Sequence, residues 1–380
     1  MQYLDKGEKV ALVLLDQSAA FDVINHDILL RCLTQRFGVV GSSLSWLASY
    51  LAHRSYSVML GSCISAPQRT YVGVPQGSVL GPLLFTMFTT PMYDLISHHH
   101  INTHFYADDV QVYINMSDDN SSLTCLENSI QEIHRWMHAN KLKLNANKTE
   151  VLFIHARSST QTDVTVTIEN SPISSVESVR DLGVILDSSM SMKQFVNQKC
   201  KSVSFNLAKI RRIQRFLTFT TTNTLLHAYD FSHLEYCLTL LGGCNQYLID
   251  KLQRLLNRAA RLLTHCPLGV HITPTLINLG WLLIKQRIQF KILILVFKAI
   301  HGLNCPTYIS SLLQHYVPSR TIRSASQNLL VTPRHRTNYG LRCFSHFDPT
   351  VWNNLPQNIR DAPNLITFKH ILKTYLFTTL

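Results

Sequence analysis

Two acidic positions, each at the end of an apolar segment, constrain this sequence most. Residues 10–15 form a continuous apolar run that ends abruptly in Asp16, a pattern typical of a strand buried on both faces. Asp108 and Asp109 interrupt a β-rich stretch at residues 104–114, which predicts a hairpin with the acidic pair at its tip. Because a charge at the end of a buried strand is costly unless a cation neutralises it, these carboxylates indicate a metal site.

The two segments bring the three carboxylates together if they pair in one sheet. Two Mg²⁺ ions about 3.5–4 Å apart could then be bridged, one activating a hydroxyl nucleophile and one stabilising a leaving pyrophosphate. The alternative is that Asp108-Asp109 is an ordinary hairpin turn, since Asp is a common turn residue. Asp118-Asp119 lies in a polar segment and is interpreted as such a turn.

The order of the predicted elements indicates an α+β module with an antiparallel sheet backed by helices. Thr124 and Glu127 have the spacing of a capping box at the start of the third predicted helix. After about residue 190 the pattern is mainly helical, with breaks near residues 264–274 and 318–338. The predicted elements before that point are a strand at 10–16, a helix at 18–33, a Gly/Pro turn at 73–81, a helix at 79–92, the hairpin at 104–114, a helix through Leu126, Ile130, Ile133 and Met137, and a strand at 150–154.

Composition bounds the class of protein. Hydrophobic residues make up 46% of the 380 residues and charged residues 15%, which favours a core-forming chain and excludes a disordered one. The net charge of +12 favours an anionic partner, of which nucleic acid is the commonest. The nine cysteines form no CxxC pair, which indicates reduced thiols in an intracellular protein rather than a zinc ribbon. We expect neither a signal peptide nor a membrane segment.

Five motifs, in order, resemble those of reverse transcriptases from LINE-type (non-LTR) retrotransposons. The resemblance continues through residues 257–261, 281–290 and 344–369 and so covers nearly the whole chain. The motifs are Leu14-Leu-Asp-Gln-Ser-Ala-Ala-Phe-Asp22, Gly73-Val-Pro-Gln-Gly-Ser-Val-Leu-Gly-Pro82, Phe105-Tyr-Ala-Asp-Asp109, Trp136 with Asn140-Lys-Leu-Lys-Leu-Asn-Ala-Asn-Lys-Thr-Glu150, and Leu182-Gly-Val-Ile-Leu-Asp187.

The resemblance implies a right-hand polymerase and its reaction. The expected domains are a palm with partial fingers at 1–187, a basic helical thumb at 188–265 and a helical C-terminal region of unknown role at 266–380. The expected reaction joins a dNTP to a primer 3′-hydroxyl on an RNA template, with two Mg²⁺ ions as cofactors and Mn²⁺ as a substitute. The partners would be an RNA template, a DNA primer or target and dNTPs, in the nucleus and cytoplasm. The oligomeric state is left open.

The resemblance also assigns roles to single residues. Asp16, Asp108 and Asp109 would hold the metal ions, and Lys148 would act near the leaving pyrophosphate. Each of three roles has an alternative: Phe21 could be an ordinary core residue, Gln76 part of a plain turn, and Lys148 a solvated side chain. The nucleotide-binding residues would be Phe21, as the steric gate against a 2′-hydroxyl, with Pro75, Gln76, Gly77, Tyr106 and Ala107; the primer grip would be Leu182, Gly183 and Val184.

Two basic stripes are predicted to contact nucleic-acid phosphates. The first lies between Met192 and Phe216, a stretch without acidic residues, and the second follows one face of a predicted helix opposite its leucines. Such stripes neutralise phosphates, although a solvated helix face is the usual alternative. The residues are Lys193, Lys199, Lys201, Lys209, Arg211, Arg212 and Arg215 in the first stripe, and Lys251, Arg254, Arg258 and Arg261 in the second.

Departures from the family leave two alternatives open. Relative to the family, we expect the chain to lack an endonuclease and the upstream fingers motifs, and the segment 236–244 deviates from the family's usual sequence. A catalytically inactive, truncated element copy that at most binds nucleic acid is therefore one alternative. A group II intron maturase is the other, which the C-terminal match disfavours. The His98–His100 run with His104 is interpreted as a loop, because no Cys or acidic residue stands beside it at ligand spacing.

Overall fold

A computed structural model describes residues 1–18, 20–98, 101–117, 119–145, 148–156, 165–168, 171–318 and 327–379 of the chain. The chain forms two compact units, which we call the sheet unit (Glu8–Val179) and the helical unit (Met1–Gly7 with Arg180–Leu380). The division falls at Val179, and residues 188–265 and 266–380 lie in the same compact unit. The palm, thumb and C-terminal region stay predictions.

The sheet unit contains a six-stranded sheet of order β6-β7-β1-β8-β10-β9. Strand β1 lies between β7 and β8 and pairs antiparallel with both, as its continuous apolar run predicts. The predicted antiparallel sheet is confirmed except at the β8–β10 pair, which is parallel. The strands are β1 (Val10–Asp16), β2 (Arg54–Tyr56), β3 (Met59–Leu60), β4 (Cys63–Ile64), β5 (Gln68–Thr70), β6 (Asn102–Tyr106), β7 (Asp109–Asn115), β8 (Glu150–Ile154), β9 (Thr165–Ile168) and β10 (Ser171–Val176).

Helices complete this unit, and two short hairpins, β2–β5 and β3–β4, stand apart from the main sheet. Ala11, Val13 and Leu15, alternate residues of β1, share one apolar core with buried side chains of α4 and α5, so the strand carrying Asp16 is fixed on its helical side. The chain's first helix, α1 (Gln2–Asp5), belongs to the helical unit. The helices of the sheet unit are α2 (His26–Phe37), α3 (Gly41–Leu51), α4 (Gly81–Ser97) and α5 (Asp119–Ala139).

The helix predicted from residue 18 begins only at His26, after the Asn25 cap. Before it, the backbone hydrogen-bonds to distant loops instead of to itself. The carbonyls of Phe21 and Ile24 accept from the Val74 and Gly73 amides. This tertiary pairing overrides the local helical pattern and binds the first motif to the Gly/Pro loop.

The capping box predicted at Thr124 and Glu127 is wrong. Helix α5 starts earlier, at Asp119, so Thr124 lies inside it and its hydroxyl donates to the Asn120 carbonyl. Glu127 instead accepts the backbone amide of Thr167 at 2.7 Å, which ties α5 to β9. The helical spacing of the apolar residues in this segment was nevertheless the correct signal, since these side chains are buried in the core.

A β-hairpin marks the start of the helical part of the chain. Strands β11 (Ser178–Asp181) and β12 (Val184–Asp187) pair across the two-residue turn Leu182-Gly183. The Asp187 carboxylate then accepts the Ser191 and Met192 amides, both at 2.9 Å. Because these are unpaired amides at the start of the next helix, Asp187 fixes the exit of the hairpin.

The helical unit has one continuous apolar core that reaches from Val184 to Leu376. Residues 226–231 form a π-helical turn in which Asp230 is buried. No helix in the described parts of the chain is long and apolar enough to cross a bilayer. The remaining helices are α6 (Lys193–Ile213), α7 (Phe219–Leu225), α8 (Ser232–Glu235), α9 (Gln246–Thr264), α10 (Thr273–Asn278), α11 (Ile284–Ile300), α12 (Thr307–Ser310), α13 (Asn338–Leu341), α14 (Phe344–Asn353), α15 (Gln357–Arg360) and α16 (Leu365–Thr378).

Candidate active site

Asp16 and Asp109 are brought together by strand register. In the antiparallel pairing of β1 with β7, Asp16 is the Cα partner of Asp109. Asp109 is also the partner of Tyr106 in the β6–β7 hairpin. The acidic end of β1 and the acidic tip of the hairpin therefore lie at the same edge of the sheet, as the sequence predicted.

A tight turn presents the acidic pair. Ala107 and Asp108 alone connect β6 to β7, and Ala107 has φ of 52°. A side chain in this left-handed region is strained by about 1–2 kcal/mol, and such strain is concentrated at functional sites. Tyr106, at the end of β6, is 66% exposed, so its ring is open to a ligand.

The electrostatics of the edge favour a cation. Burial, followed by the charges of Asp108 and Asp16, raises the pKa of Asp109. The Oδ2 atom of Asp16 is buried and has no hydrogen-bond partner among the described residues. Carboxylates that repel each other beside an unsatisfied oxygen are typical of a site that binds a positive ion.

Lys148 places a positive charge at this edge. Its Nζ atom lies 3.5 Å from Asp16 Oδ2, an ion-pair distance too long for a good hydrogen bond. The backbone explains the approach, because Asn145 donates its amide to the Asp16 carbonyl and its own carbonyl accepts the Lys148 amide. The side chain of Lys148 is 68% exposed, so the ammonium can turn to another anion.

Gln17 is a residue that sequence reasoning missed. It follows Asp16, is 3% exposed, and pairs through its backbone with Leu144. Neither its amide nitrogen nor its amide oxygen has a hydrogen-bond partner among the described residues. A buried amide without partners is costly, and its position in the motif was the available signal.

The predicted nucleotide-pocket residues form a second cluster in the same unit. The Gln76 side chain donates to Asp22 Oδ1 at 3.0 Å. Gly77, with φ of +77°, has open space around it, whereas a Cβ on Gly73 would lie 2.7 Å from the Asp22 carbonyl oxygen. Gly73 therefore allows the Pro75 loop to close on the segment that carries Phe21 and Asp22.

Phe21 is half-buried and packs on one face. Its ring stacks on Phe85 of α4 with centroids 4.5 Å apart. The Pro75 carbonyl accepts from the Ser78 hydroxyl at 2.7 Å, and that hydroxyl accepts from the Gly81 amide. The core packing and the loop closure together fix the position of Phe21, which is consistent with either of its predicted roles.

The predicted primer grip belongs to the helical unit. Leu182 and Gly183 form the hairpin turn described above, and Val184 begins β12 and is buried in the helical core. The Tyr236 hydroxyl donates to the Leu182 carbonyl. The turn is thus held by the segment that departs from the family's usual wording.

Lys199 is a correction to the first basic stripe. It is 5% exposed, and its ammonium donates to the His233 and Tyr236 carbonyls at 2.7 and 2.6 Å. Burial lowers its pKa to about 8. Lys199 therefore binds its own chain rather than phosphate. The signal was present in the sequence, since Lys199 falls among Phe195, Val196 and Val203 on the apolar side of α6.

The other residues of the two stripes differ in availability. In the second stripe, Lys251 donates to Asn197, and the Arg261 guanidinium donates to the Pro267 and Val270 carbonyls. Exposed aromatic rings accompany the first stripe, with Lys209 over Phe205. The exposed basic residues are Lys193, Lys201, Lys209, Arg211, Arg212, Arg215, Arg254 and Arg258.

The donor set fits Mg²⁺ without forming a closed cage. Carboxylate oxygens are the ligands Mg²⁺ prefers, and it commonly keeps several waters and substrate phosphates. Among the described residues, no group of three His, Cys, Asp or Glu side chains is already gathered as a metal cluster. Of the histidine run, His99 and His100 lie outside the described residues.

Known proteins match both the motifs and the chain beyond them. Residues 2–186 match the family described as reverse transcriptase (RNA-dependent DNA polymerase). A probable RNA-directed DNA polymerase from transposon BS of Drosophila melanogaster is 24% identical over 76% of this chain and 33% of its own length. The corresponding protein from transposon X-element of the same species is 26% identical over 69% and 29%.

Two further similarities complete the comparison. The RNA-directed DNA polymerase from mobile element jockey of Drosophila funebris is 28% identical over 55% of this chain and 23% of its own length. A telomerase structure from Candida albicans, in complex with a TWJ fragment of telomeric RNA, has a TM-score of 0.35 and 14% identity over 73% of this chain and 50% of its own. At that score the structural similarity supports no conclusion.

The sheet unit has an α+β fold, and the segment that contains the first four motifs and most of the fifth is similar to the RNA-dependent DNA polymerase family. The chain spans about a third of the length of the first two relatives named above. The relatives named above come from transposons or, for jockey, from a mobile element. Residues 2–186 are thus similar to reverse transcriptases, and the relatives of the chain are RNA-directed DNA polymerases of mobile elements, as the resemblance to LINE-type (non-LTR) proteins predicts.

Proposed function

We propose that this chain carries the polymerase centre of a non-LTR retrotransposon, joining a dNTP to a primer 3′-hydroxyl on an RNA template. The observation that carries the proposal is the pairing of Asp16 with Asp109 in register, beside Asp108 and within reach of Lys148. Hydrophobic strands place these charges at one edge of a sheet, where they have no use in folding. The chemistry that needs them is phosphoryl transfer.

Asp16, Asp108 and Asp109 would hold two Mg²⁺ ions, or Mn²⁺ as a substitute. When bound, the ions would lower the pKa of the attacking hydroxyl and neutralise charge on the transferring phosphate. The carboxylates must be ionised to do this. The charges of Asp108 and Asp16 help to raise the pKa of Asp109. A bound cation would offset that repulsion and lower the pKa again.

The chain's own groups orient the reaction. The primer oxygen forms a bond to the α-phosphorus of the dNTP as the bond to the pyrophosphate oxygen breaks, and the hydroxyl proton passes to solvent. Lys148, exposed and only loosely paired with Asp16, would turn to the pyrophosphate and neutralise its charge. Phe21 would press on the sugar and disfavour a 2′-hydroxyl, and Gln76 would line the pocket.

The partners follow from the same proposal. The template–primer duplex would be recognised through shape and backbone, while base pairing supplies the sequence information. The exposed basic residues of α6, together with Arg254 and Arg258 of α9, would contact its phosphates. Lys199 is left out of this set because it is buried.

Primer extension tests the proposal. The chain is incubated with poly(rA)/oligo(dT), dTTP and Mg²⁺, beside an Asp108→Asn/Asp109→Asn variant and an Asp27→Asn control at an exposed carboxylate of α2. We expect extension by the wild type and the control, and none by the double variant. Template–primer binding without extension in all three would overturn the proposal and favour the inactive, nucleic-acid-binding alternative. Splicing of a bound intron would identify the maturase alternative.

A further inference from the structure

The turn at the predicted primer grip is strained and depends on outside support. Leu182 and Gly183 have φ of 44° and 80°, which is the arrangement of a two-residue hairpin turn with both central residues left-handed. Gly adopts this conformation freely. Leu182 does not, since a left-handed conformation costs a residue with a Cβ about 1–2 kcal/mol.

Tyr236 supplies two contacts to this turn. Its hydroxyl donates to the Leu182 carbonyl. Its ring lies over Gly183, where an added Cβ would be in van der Waals contact with a ring carbon at 3.4 Å. Tyr236 is nevertheless 49% exposed. A half-exposed aromatic ring that spans a strained turn contributes more to the position of that turn than to the core.

The backbone of Tyr236 is itself anchored. Lys199, on α6, donates to the carbonyls of Tyr236 and His233, at the end of α8. The Lys199 ammonium also lies 5.8 Å from the centre of the Tyr236 ring. The chain next to Tyr236 leaves the helix sharply, with Cys237 at φ of 47°. Helix α6, the 233–236 segment and the turn are therefore linked in series.

We infer that Tyr236 is a positioning residue that holds the Leu182-Gly183 turn in the shape that contacts the primer. This inference rests on the proposed function, because it gives the turn a primer to contact. Tyr236 acts through the turn and touches no reacting atom. This inference also gives a role to a residue of the segment 236–244. That segment departs from the family's usual sequence, and the polymerase chemistry leaves it unexplained.

Tyr236→Phe is the first test, because it keeps the ring over Gly183 and removes only the hydrogen bond. The loss of one hydrogen bond corresponds to about a 3- to 10-fold weakening of the contact it supports. We expect KM for template–primer to rise by that factor, with KM for dTTP and the thermal midpoint unchanged. Tyr316→Phe, a partly exposed tyrosine of the same unit, is the matched control. Equal primer KM values for the two variants would overturn the inference.

A second variant tests whether Tyr236 acts through the turn. Gly183→Ala places a methyl group against the Tyr236 ring in a backbone region that disfavours it. We combine Gly183→Ala with Tyr236→Phe and compare the double variant with the two single variants. If the two residues work as one unit, the double variant will weaken primer binding by less than the product of the two single fold-changes. Multiplying effects would show two independent contributions and contradict the inference.

Binding measured without turnover separates this inference from the proposed function. Fluorescence anisotropy with a labelled poly(rA)/oligo(dT) duplex gives the dissociation constant for each variant. If the wild type binds but does not extend, the proposed function fails, while weaker binding by Tyr236→Phe than by Tyr316→Phe still supports the positioning role. If the wild type extends and Tyr236→Phe matches its control in both assays, the positioning role alone fails.

Discussion

Asp16 and Asp109 are Cα partners at the final rung of the antiparallel ladder between β1 and β7. The pairing sets one carboxylate opposite another, with Asp108 adjacent. The charges raise the pKa of Asp109. The site therefore opposes folding of the metal-free chain, and its neighbours must be stable enough to hold it.

Asp108→Asn is expected to stabilise the metal-free protein while abolishing primer extension. The raised pKa of Asp109 means that the folded state binds a proton more tightly than the unfolded state. The protonated carboxyl therefore stabilises the folded state at low pH, and this contribution is lost as pH rises through the folded pKa. Removing the Asp108 charge lowers that pKa and reduces the loss. Urea unfolding at several pH values, without divalent ions, measures this loss of stability in the wild type and in the variant. A lower midpoint for Asp108→Asn than for the wild type at pH 7 would contradict the expectation.

Gly73→Ala and Gly77→Ala form a matched pair. Both glycines have positive φ, but only at Gly73 would a Cβ meet backbone, 2.7 Å from the Asp22 oxygen. We expect Gly77→Ala to cost about 1 kcal/mol of unfolding free energy and Gly73→Ala about 2–4 kcal/mol. Chemical denaturation compares them. Equal losses would show that the loop around Gly73 relaxes without cost.

Arg211→Gln/Arg212→Gln is expected to weaken template–primer binding most at low salt. Both side chains are exposed near the end of α6, where each could neutralise one phosphate. The slope of log affinity against log salt should then become shallower by up to about 2. Lys285→Gln/Lys373→Gln removes the same charge from exposed positions of α11 and α16. An identical slope for both double variants would indicate a general charge effect rather than contact by α6.

Asp230→Asn is expected to remove a pH-dependent loss of stability. Asp230 is 2% exposed, both its oxygens lack hydrogen-bond partners among the described residues, and burial raises its pKa to about 7. Stability from the neutral acid is therefore complete below the ordinary value of 3.8 and is lost as pH rises towards about 7. The difference between wild type and variant should change by about 1–3 kcal/mol across that range.

Urea unfolding between these pH values tests the Asp230 prediction. Asp250→Asn, at an exposed carboxylate of α9, serves as the control and should follow the wild type. A parallel pH dependence for the wild type and Asp230→Asn would show that the buried carboxyl finds a partner in solution.

The strands and the acidic edge were predictable because their signals are local. A continuous apolar run, alternation around a turn and charges at strand ends are all visible over a few residues, and β1, β6 and β7 formed where these patterns indicated. The segment from Ala20 to Asn25 was not predictable in the same way. Its carbonyls are taken by amides of a loop far along the chain, and no local pattern records that pairing.

Single charged side chains showed the same limit. A run of basic residues without acidic neighbours favoured phosphate contact for Lys199, but its place among apolar residues of α6 turned it inward to carbonyls of α8. Asp230 gave no signal, because its burial depends on the π-helical turn and the helices packed around it. The roles of Phe21, Gln76 and the primer grip stay predictions, since they concern ligands.

The position of α1 decides where the chain can be shortened. Asp5 accepts hydrogen bonds from His335 and from the Thr337 amide and hydroxyl, all at 2.8–2.9 Å, and a Cβ at Gly340 would collide with its carboxyl. Although desolvation alone would raise it, these bonds hold the pKa of Asp5 well below its usual range. Deleting residues 1–7 from the full chain would therefore remove contacts of the helical unit more than three hundred positions downstream. A fragment of the sheet unit alone can start at Glu8. A fragment of the helical unit needs residues 1–7 added as a separate peptide.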